Sequence, residues 1–168
     1  DLSCARTATQ VLCWGTDRFG LLGDTATYPS GPGTDPSRSR PAPIELAGPA
    51  RDIDASFYHA CAVTLAGDLW CWGANDHANL GVPDTGERCD TSVVPGTPLP
   101  CATTPVRVAM VGGAVGLGVD RVTVGYQHTC ILGHEGAVHC WGASSYGQIG
   151  DGTPPGPDVT EPRLVLEG

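Results

Sequence analysis

The residues best equipped for chemistry are eight cysteines, and most of them recur on a fixed layout. His128 to Gly142 reads HTCILGHEGAVHCWG and His59 to Gly73 reads HACAVTLAGDLWCWG, with Cys in third place and Cys-Trp-Gly at the end. A shorter version, SCARTATQVLCWG, spans Ser3 to Gly15. Thiols at such positions either hold a metal or oxidise in pairs. Structural zinc sites space their cysteines about two to four residues apart. Here the repeated spacing is ten, so disulfides are the expected chemistry and no metal site is expected.

Pairing Cys61 with Cys71 leaves Leu65-Ala66-Gly67 as a three-residue hairpin loop, with glycine where a left-handed residue is needed. Pairing Cys130 with Cys140 leaves His134-Glu135-Gly136 in the same way. Cys4 and Cys13 close on Ala8-Thr9, a two-residue turn without glycine. Directly opposed residues have Cβ atoms roughly 4.5 to 5.5 Å apart. A disulfide needs about 3.8 Å, so each hairpin should pinch at its bridge. The predicted pairs are Cys4–Cys13, Cys61–Cys71 and Cys130–Cys140, with Cys89–Cys101 left to staple a loop rich in Pro, Thr and Gly. Four short-range disulfides call for an oxidising compartment. The expected location is therefore secreted, at the cell surface, or in a periplasm.

Other reactive side chains form no catalytic constellation. His59 and His128 occupy one repeat position, two residues before the first hairpin Cys, and read as structural hydrogen-bonders at a strand start. His134 falls in a turn, His77 in a loop, and His139 on a strand at the position of Trp70, expected to be face-exposed. Asp84, Glu87 and Asp90 lack the regular ligand spacing of a calcium loop. No GxSxG elbow, HExxH or P-loop is present. The chain reads as non-enzymatic, with no catalytic residues and no cofactor.

Composition narrows the partners. The net charge is −9 and all nine basic residues are Arg, scattered along the chain. An acidic surface repels phosphate backbones, so nucleic acid is not an expected partner. No apolar run approaches the roughly 20 residues that span a membrane. No targeting segment precedes Asp1, so the chain reads as mature or as an excised piece. With 24 Gly and 15 Pro, turns must be frequent and segments short.

The elements that position the cysteines are short strands. PAPIEL at Pro41 to Leu46, TPVRVAM at Thr104 to Met110 and EPRLVLEG at Glu161 to Gly168 echo one another. So do RDIDAS at Arg51 to Ser56 and DRVTVG at Asp120 to Gly125. Apolar residues alternate in both sets, which suits half-buried strands. No sustained helical stripe occurs. The loops DRFGLLGD, NDHANLGV and SSYGQIGD follow the three Cys-Trp-Gly triplets, and each pairs an apolar residue with Gly. One unit is read as strand, strand, Cys strand and Cys-Trp-Gly strand, then a variable loop. Such a sheet cannot bury both faces alone, so units must stack. The repeated Trp14, Trp72 and Trp141 are expected between adjacent sheets, each followed by Gly15, Gly73 or Gly142.

The combination PVRV at Pro105 to Val108, RVTVGYQHTC at Arg121 to Cys130, VHCWG at Val138 to Gly142 and SYGQIGDGT at Ser145 to Thr153 resembles the regulator of chromosome condensation repeat. The likeness is to its disulfide-bearing form in secreted bacterial proteins. Trp-Asp propellers fit worse, since Trp is followed here by Gly or by Cys71. Asp76-His77-Ala78-Asn79 departs from the motif, where Gly-Gln is usual. The resemblance implies an all-β fold of four-stranded antiparallel propeller blades, seven in the family's usual ring.

Here about three blades are expected, and they cannot close a ring alone. Residues 1–15 are read as an N-terminal half-blade hairpin, with blades at 41–73 and 104–142. A C-terminal strand at 161–168 is expected to complete a blade with another copy or chain segment, and 16–40, 74–103 and 143–160 are read as loops. Partners are then a homo-oligomer, the remainder of a longer propeller, or another protein. The expected function is a protein-binding or self-assembling module, by strand sharing into a ring or filament. The alternatives are an inhibitor of a secreted enzyme and an excerpt of a longer ligand-binding propeller. Acidic charge, oxidised cysteines and missing blades argue against nucleotide exchange on a small GTPase, which the resemblance would otherwise imply.

Overall fold

The computed structural model describes residues 2–24, 37–89, 97–109 and 118–166. Among these residues twelve strands form three antiparallel sheets, and there is no α-helix. Sheet one contains β1 (Leu2–Arg6), β2 (Val11–Thr16) and β3 (Ser37–Ile44) in that order. Sheet two runs β4 (Ala50–Ala55), β5 (His59–Thr64), β6 (Leu69–Ala74) and β8 (Leu99–Arg107), with the short β7 (Arg88–Cys89) outside β8. Sheet three runs β9 (Val119–Val124), β10 (His128–Gly133), β11 (Val138–Gly142) and β12 (Val159–Leu166).

Local chemistry sets the hairpins. Gly67 and Gly136 take φ of 87° and 85° in their loops, as a three-residue connection requires. The glycine-free turn of β1–β2 closes through Thr7, whose hydroxyl accepts the N–H groups of Thr9 and Gln10. The registers place Cys4 opposite Cys13, Cys61 opposite Cys71 and Cys130 opposite Cys140. All three bridges are formed across Cα distances of 4.1 to 4.2 Å, and Cys89–Cys101 is formed at 5.8 Å.

The sheets begin and end at different strands from those expected. PAPI lies in β3 and pairs back onto β2, with Val11 opposite Ile44. Val106 of β8 likewise pairs with Cys71, and β12 pairs with β11. The complete four-stranded sheets therefore span 50–107 and 119–166, rather than 41–73 and 104–142. A periodic sequence looks the same under cyclic shift, so only pairing decides where a unit begins. Each Cys-Trp-Gly strand has one edge free after its hairpin, and the chain returns along it. This also corrects the reading of the C-terminal strand, because β12 completes its own sheet. The stretches read as loops contain β7 and the starts of β3, β8 and β12.

Alternation along each strand sends residues to opposite sheet faces. Val11, Cys13 and Ile44 of sheet one, with Leu22 from the loop after β2, pack on Ala60, Ala62 and Trp72 of sheet two. From its other face Cys61, Val63, Leu69, Cys71 and Leu80 meet Val122, Ile131 and Trp141 of sheet three. Sheet two is therefore covered on both sides, and every residue of β5 is buried. The strands β1, β4 and β9 line up along one side of the stack, β4 lying against both of the others. The three sheets close no ring among the described residues.

Candidate functional site

Each junction between sheets is built on one plan. The loop after a Cys-Trp-Gly strand folds back by a side-chain clasp, in which Asp17 Oδ1 accepts the N–H of Leu22 and Asn75 Oδ1 that of Leu80. The clasp turns one backbone carbonyl toward the next sheet. The Trp72 indole N–H donates to the Leu21 carbonyl at 2.9 Å, and that of Trp141 to the Asn79 carbonyl at 3.1 Å. Both indoles are fully buried. Truncating such a side chain costs about 3 to 5 kcal/mol. Trp14, whose neighbour on the corresponding side would be a preceding blade, is half-buried.

Polar contacts lock the second junction further. His59 Nε2 lies 2.7 Å from the Thr129 hydroxyl, which itself donates to the Asn79 carbonyl at 2.7 Å. Burial drives the His59 pKa down to about 3, with a smaller contribution from the charge of His128. On the strands β4 and β9, Asp52 accepts the N–H of Val122, while Asp54 accepts the N–H of Val124 and the Thr123 hydroxyl. Carboxylates on backbone N–H groups make strong charge-assisted bonds.

The same stacking brings aromatic residues together at one end. Phe57 and Tyr58 sit in the β4–β5 turn and Tyr126 in the β9–β10 turn, while Arg18 and Phe19 come from the loop after β2. Phe19 stacks on Tyr58 with centroids 5.3 Å apart, and Tyr126 meets Tyr58 edge-on at 4.7 Å. The Arg18 guanidinium lies 5.3 Å over the Phe57 ring. The Tyr126 and Tyr58 hydroxyls are hydrogen-bonded at 3.3 Å, and this bond, followed by burial, is the main cause of a Tyr58 pKa raised to about 12. Phe57 is 38% and Tyr126 61% exposed, so the cluster presents apolar and hydroxyl surface to solvent. A separate groove of about 690 Å³ runs between the outer edges of sheets two and three. Its walls include His77, Val106, Arg107, Asp158 and Glu161.

Comparison with known proteins identifies the building block. Two models of the regulator of chromosome condensation (RCC1) repeat match, one at residues 50–78 and 119–148 and the other at 66–132. Between them they cover more than half of the chain. The protein belongs to the RCC1 repeat family. Its relatives include the Ultraviolet-B receptor UVR8 of Arabidopsis thaliana, 35% identical over 60% of this chain and 19% of the relative. Another is the human probable E3 ubiquitin-protein ligase HERC3, 30% identical over 94% of this chain and 13% of the relative. The chain thus spans less than a fifth of either. Among solved structures, Prp20p of Saccharomyces cerevisiae superposes with a TM-score of 0.72 at 19% identity, covering 94% of this chain and 34% of that one. Human WBSCR16 gives 0.71 at 18% identity, over 98% and 37%.

Set among RCC1 repeats, the remaining sequence-predicted residues find definite places. The second repeat departs from the motif at Ala78-Asn79 and still keeps the loop, because Ala78 takes φ 56° where Gly20 and Gly147 have 73° and 71°. For a non-glycine residue that conformation costs on the order of 1 kcal/mol. Gly15, Gly73 and Gly142 all hold φ near 110° (112°, 104° and 107°). A Cβ at Gly73 would lie 2.6 Å from the Tyr58 carbonyl, and one at Gly142 2.6 Å from that of Gln127. His128 is half-buried, and burial lowers its pKa. His77 meets Asp158 at 2.9 Å and His134 meets Asp120 at 2.6 Å. His139 is buried rather than face-exposed, because β12 pairs alongside it opposite Leu164. Asp84 binds the Arg88 guanidinium and Glu87 accepts from Thr103, while Asp90 lies outside the described residues. No group of three metal-ligating side chains occurs among the described residues. No helix among them is long and apolar enough to cross a membrane.

The sequence reading missed the aromatic cluster. Phe19, the adjacent Phe57 and Tyr58, and Tyr126 come from three stretches far apart in the chain, and the one available signal was the recurrence of an aromatic residue just before His59 and in the matching turn at Tyr126.

Proposed function

We propose that this RCC1-repeat segment is a secreted, non-enzymatic protein-binding module whose recognition surface is the aromatic end formed by Arg18, Phe57, Tyr58 and Tyr126. The observation that carries this reading is the exposure of Phe57 and Tyr126 beside the half-buried Tyr58, which stacks on the buried Phe19. Aromatic residues and Arg dominate the energetic centres of protein interfaces, and rigid rings lose little entropy on binding. Similarity points the same way. Prp20p is described with binding to Gsp1p and histones, and a further yeast RCC1 (Prp20) structure, at TM-score 0.73 and 17% identity, is bound to Kap60. That last match covers 99% of this chain and 37% of its own. The ligase name of HERC3 belongs to a protein of which this region matches 13%. Secretion is supported by the four disulfides, which reducing compartments disfavour.

The test is capture from the native secretome, with the bound protein identified and its affinity measured against Tyr126→Ala and Phe57→Ala. An energetic centre predicts at least a tenfold loss for one of the two, about 1.4 kcal/mol or more. Unchanged affinity in both variants would place recognition elsewhere. Alkylation of the native protein without reductant should label no cysteine, and labelled thiols would contradict secretion.

A further inference from the structure

The two junctions match loop for loop and turn for turn, yet at one place they carry opposite charges. In the loop after β2 the Gly20 N–H donates to the Asp17 carbonyl at 3.3 Å, and in the loop after β6 the Ala78 N–H donates to that of Asn75 at 3.2 Å. Arg18 and Asp76, one residue after those carbonyls, are therefore equivalent. In the hairpin turns the Ser56 N–H donates to the His59 carbonyl at 2.9 Å and the Gly125 N–H to that of His128 at 2.8 Å. Phe57 and Tyr126 are thus equivalent as well. At the first junction loop and turn meet as a cation over a ring, Arg18 on Phe57. At the second the ring is Tyr126, and the loop residue is a carboxylate. Among the described residues no cation lies over Tyr126. Phe57 lies nearly parallel to it at 6.3 Å, too far for full face contact, and Tyr58 meets it edge-on.

Asp76 is short of donors. Its Oδ1 is enclosed and accepts no hydrogen bond among the described residues, while Oδ2 has only His77 Nε2, at 3.5 Å. The other nitrogen of that imidazole lies 2.9 Å from Asp158. None of the ion pairs that arginine makes here includes Asp76. Its side chain is 16% exposed, so solvent screens the charge incompletely. That charge reaches the rings, since it adds to the hydrogen bond from Tyr126 and to burial in raising the Tyr58 pKa. A carboxylate held partly out of water favours a counter-charge, and a chain of net charge −9 has none to spare. A guanidinium answers both groups at once: it is planar, it stacks on aromatic faces, and it offers a fork of N–H donors to a carboxylate.

We infer that the aromatic end takes an arginine side chain of its protein partner over Tyr126, with Asp76 as the counter-charge, in the manner of Arg18 over Phe57. This rests on the aromatic end being the recognition surface, and it names the chemistry of the residue recognised there. Ring and carboxylate both belong to the junction between sheets two and three, not to the outer faces of the stack. Lysine would bring the charge without the plane, and a neutral urea such as citrulline the plane without the charge. The order of preference is arginine, then lysine, then citrulline.

The probe is N-acetyl-arginine methylamide, titrated into the isotopically labelled chain and followed by NMR at the Tyr126 ring and the Asp76 carboxyl. N-acetyl-citrulline methylamide, of the same shape without the charge, is the comparison. The arginine amide should bind about fivefold more tightly, the gain expected of one exposed cation–π contact with a charge-assisted bond. Asp76→Asn, nearly identical in size, should abolish that preference. Asp76→Arg should abolish it too, because it supplies the guanidinium from within, and its Tyr126 ring signals should shift with no probe present. Equal binding of the two amides overturns the inference. So does a preference that survives Asp76→Asn, or probe-induced shifts centred away from Tyr126. Capture of the native partner separates this from the broader reading. Affinity lost with Tyr126→Ala but kept with Asp76→Asn would retain the aromatic surface and remove the arginine. Affinity kept with both Tyr126→Ala and Phe57→Ala would remove the surface as the partner's site, whatever the probe shows.

Discussion

At the scale of single residues, His59 shows how a recurring position can be enclosed in one repeat while its counterpart, His128, is left half-buried in another. It is completely enclosed between sheets two and three, hydrogen-bonded to Thr129, with a pKa driven by burial down to about 3. The unfolded chain would bind a proton there near pH 6.5, so the folded state is the poorer proton binder. The stability contribution of the neutral ring is complete above pH 6.5 and is lost as pH falls toward 3. Over that range it amounts to about 5 kcal/mol. Thermal unfolding of His59→Gln should therefore depend on pH between 6.5 and 4 less steeply than that of the original chain. Parallel curves would mean that the imidazole is not what senses the acid. The position was visible in the sequence as the residue two before the Cys. Its partner was not, because Thr129 lies seventy residues away.

Strands and hairpins form the next level, and here the sequence was most informative. Alternation, loop glycines and the repeated Cys spacing specify the pairing of β5 with β6 and of β10 with β11 without help from the rest of the molecule. Each bridge then constrains about ten residues of the unfolded chain, worth about 2 to 3 kcal/mol. Replacing Cys61 and Cys71 together by Ala should lower stability by that amount, and somewhat more through the lost sulfur packing, since both are fully buried. A melting temperature unchanged by the double replacement would show that sheet packing alone holds the hairpin. What alternation cannot specify is the partner on the free edge of β6. PAPIEL and TPVRVAM read equally well as the first strand of the following unit or the last of the preceding one, and the second arrangement is the real one.

For the molecule as a whole, stability should vary from sheet to sheet. Stacked repeats draw their stability from nearest-neighbour faces. Sheet two has two such faces, and sheets one and three have one each among the described residues. Native-state hydrogen exchange should accordingly find the slowest amides in β5 and β6, and faster exchange in β1, where Ser3, Ala5 and Arg6 are exposed. Uniform protection across all three sheets would point to a single cooperative unit instead. The cysteine spacings, the hairpin turns, the all-β class and the repeat were determined by the sequence alone, because the first three depend on residues close together in the chain and the repeat is read by comparing such local segments with one another. Where each blade begins, which Trp is enclosed and which stands open, and the meeting of Phe57, Tyr58 and Tyr126 were decided by tertiary structure. Those outcomes depend on which edges pair and which faces stack, and a periodic chain offers several equivalent choices until the sheets are packed.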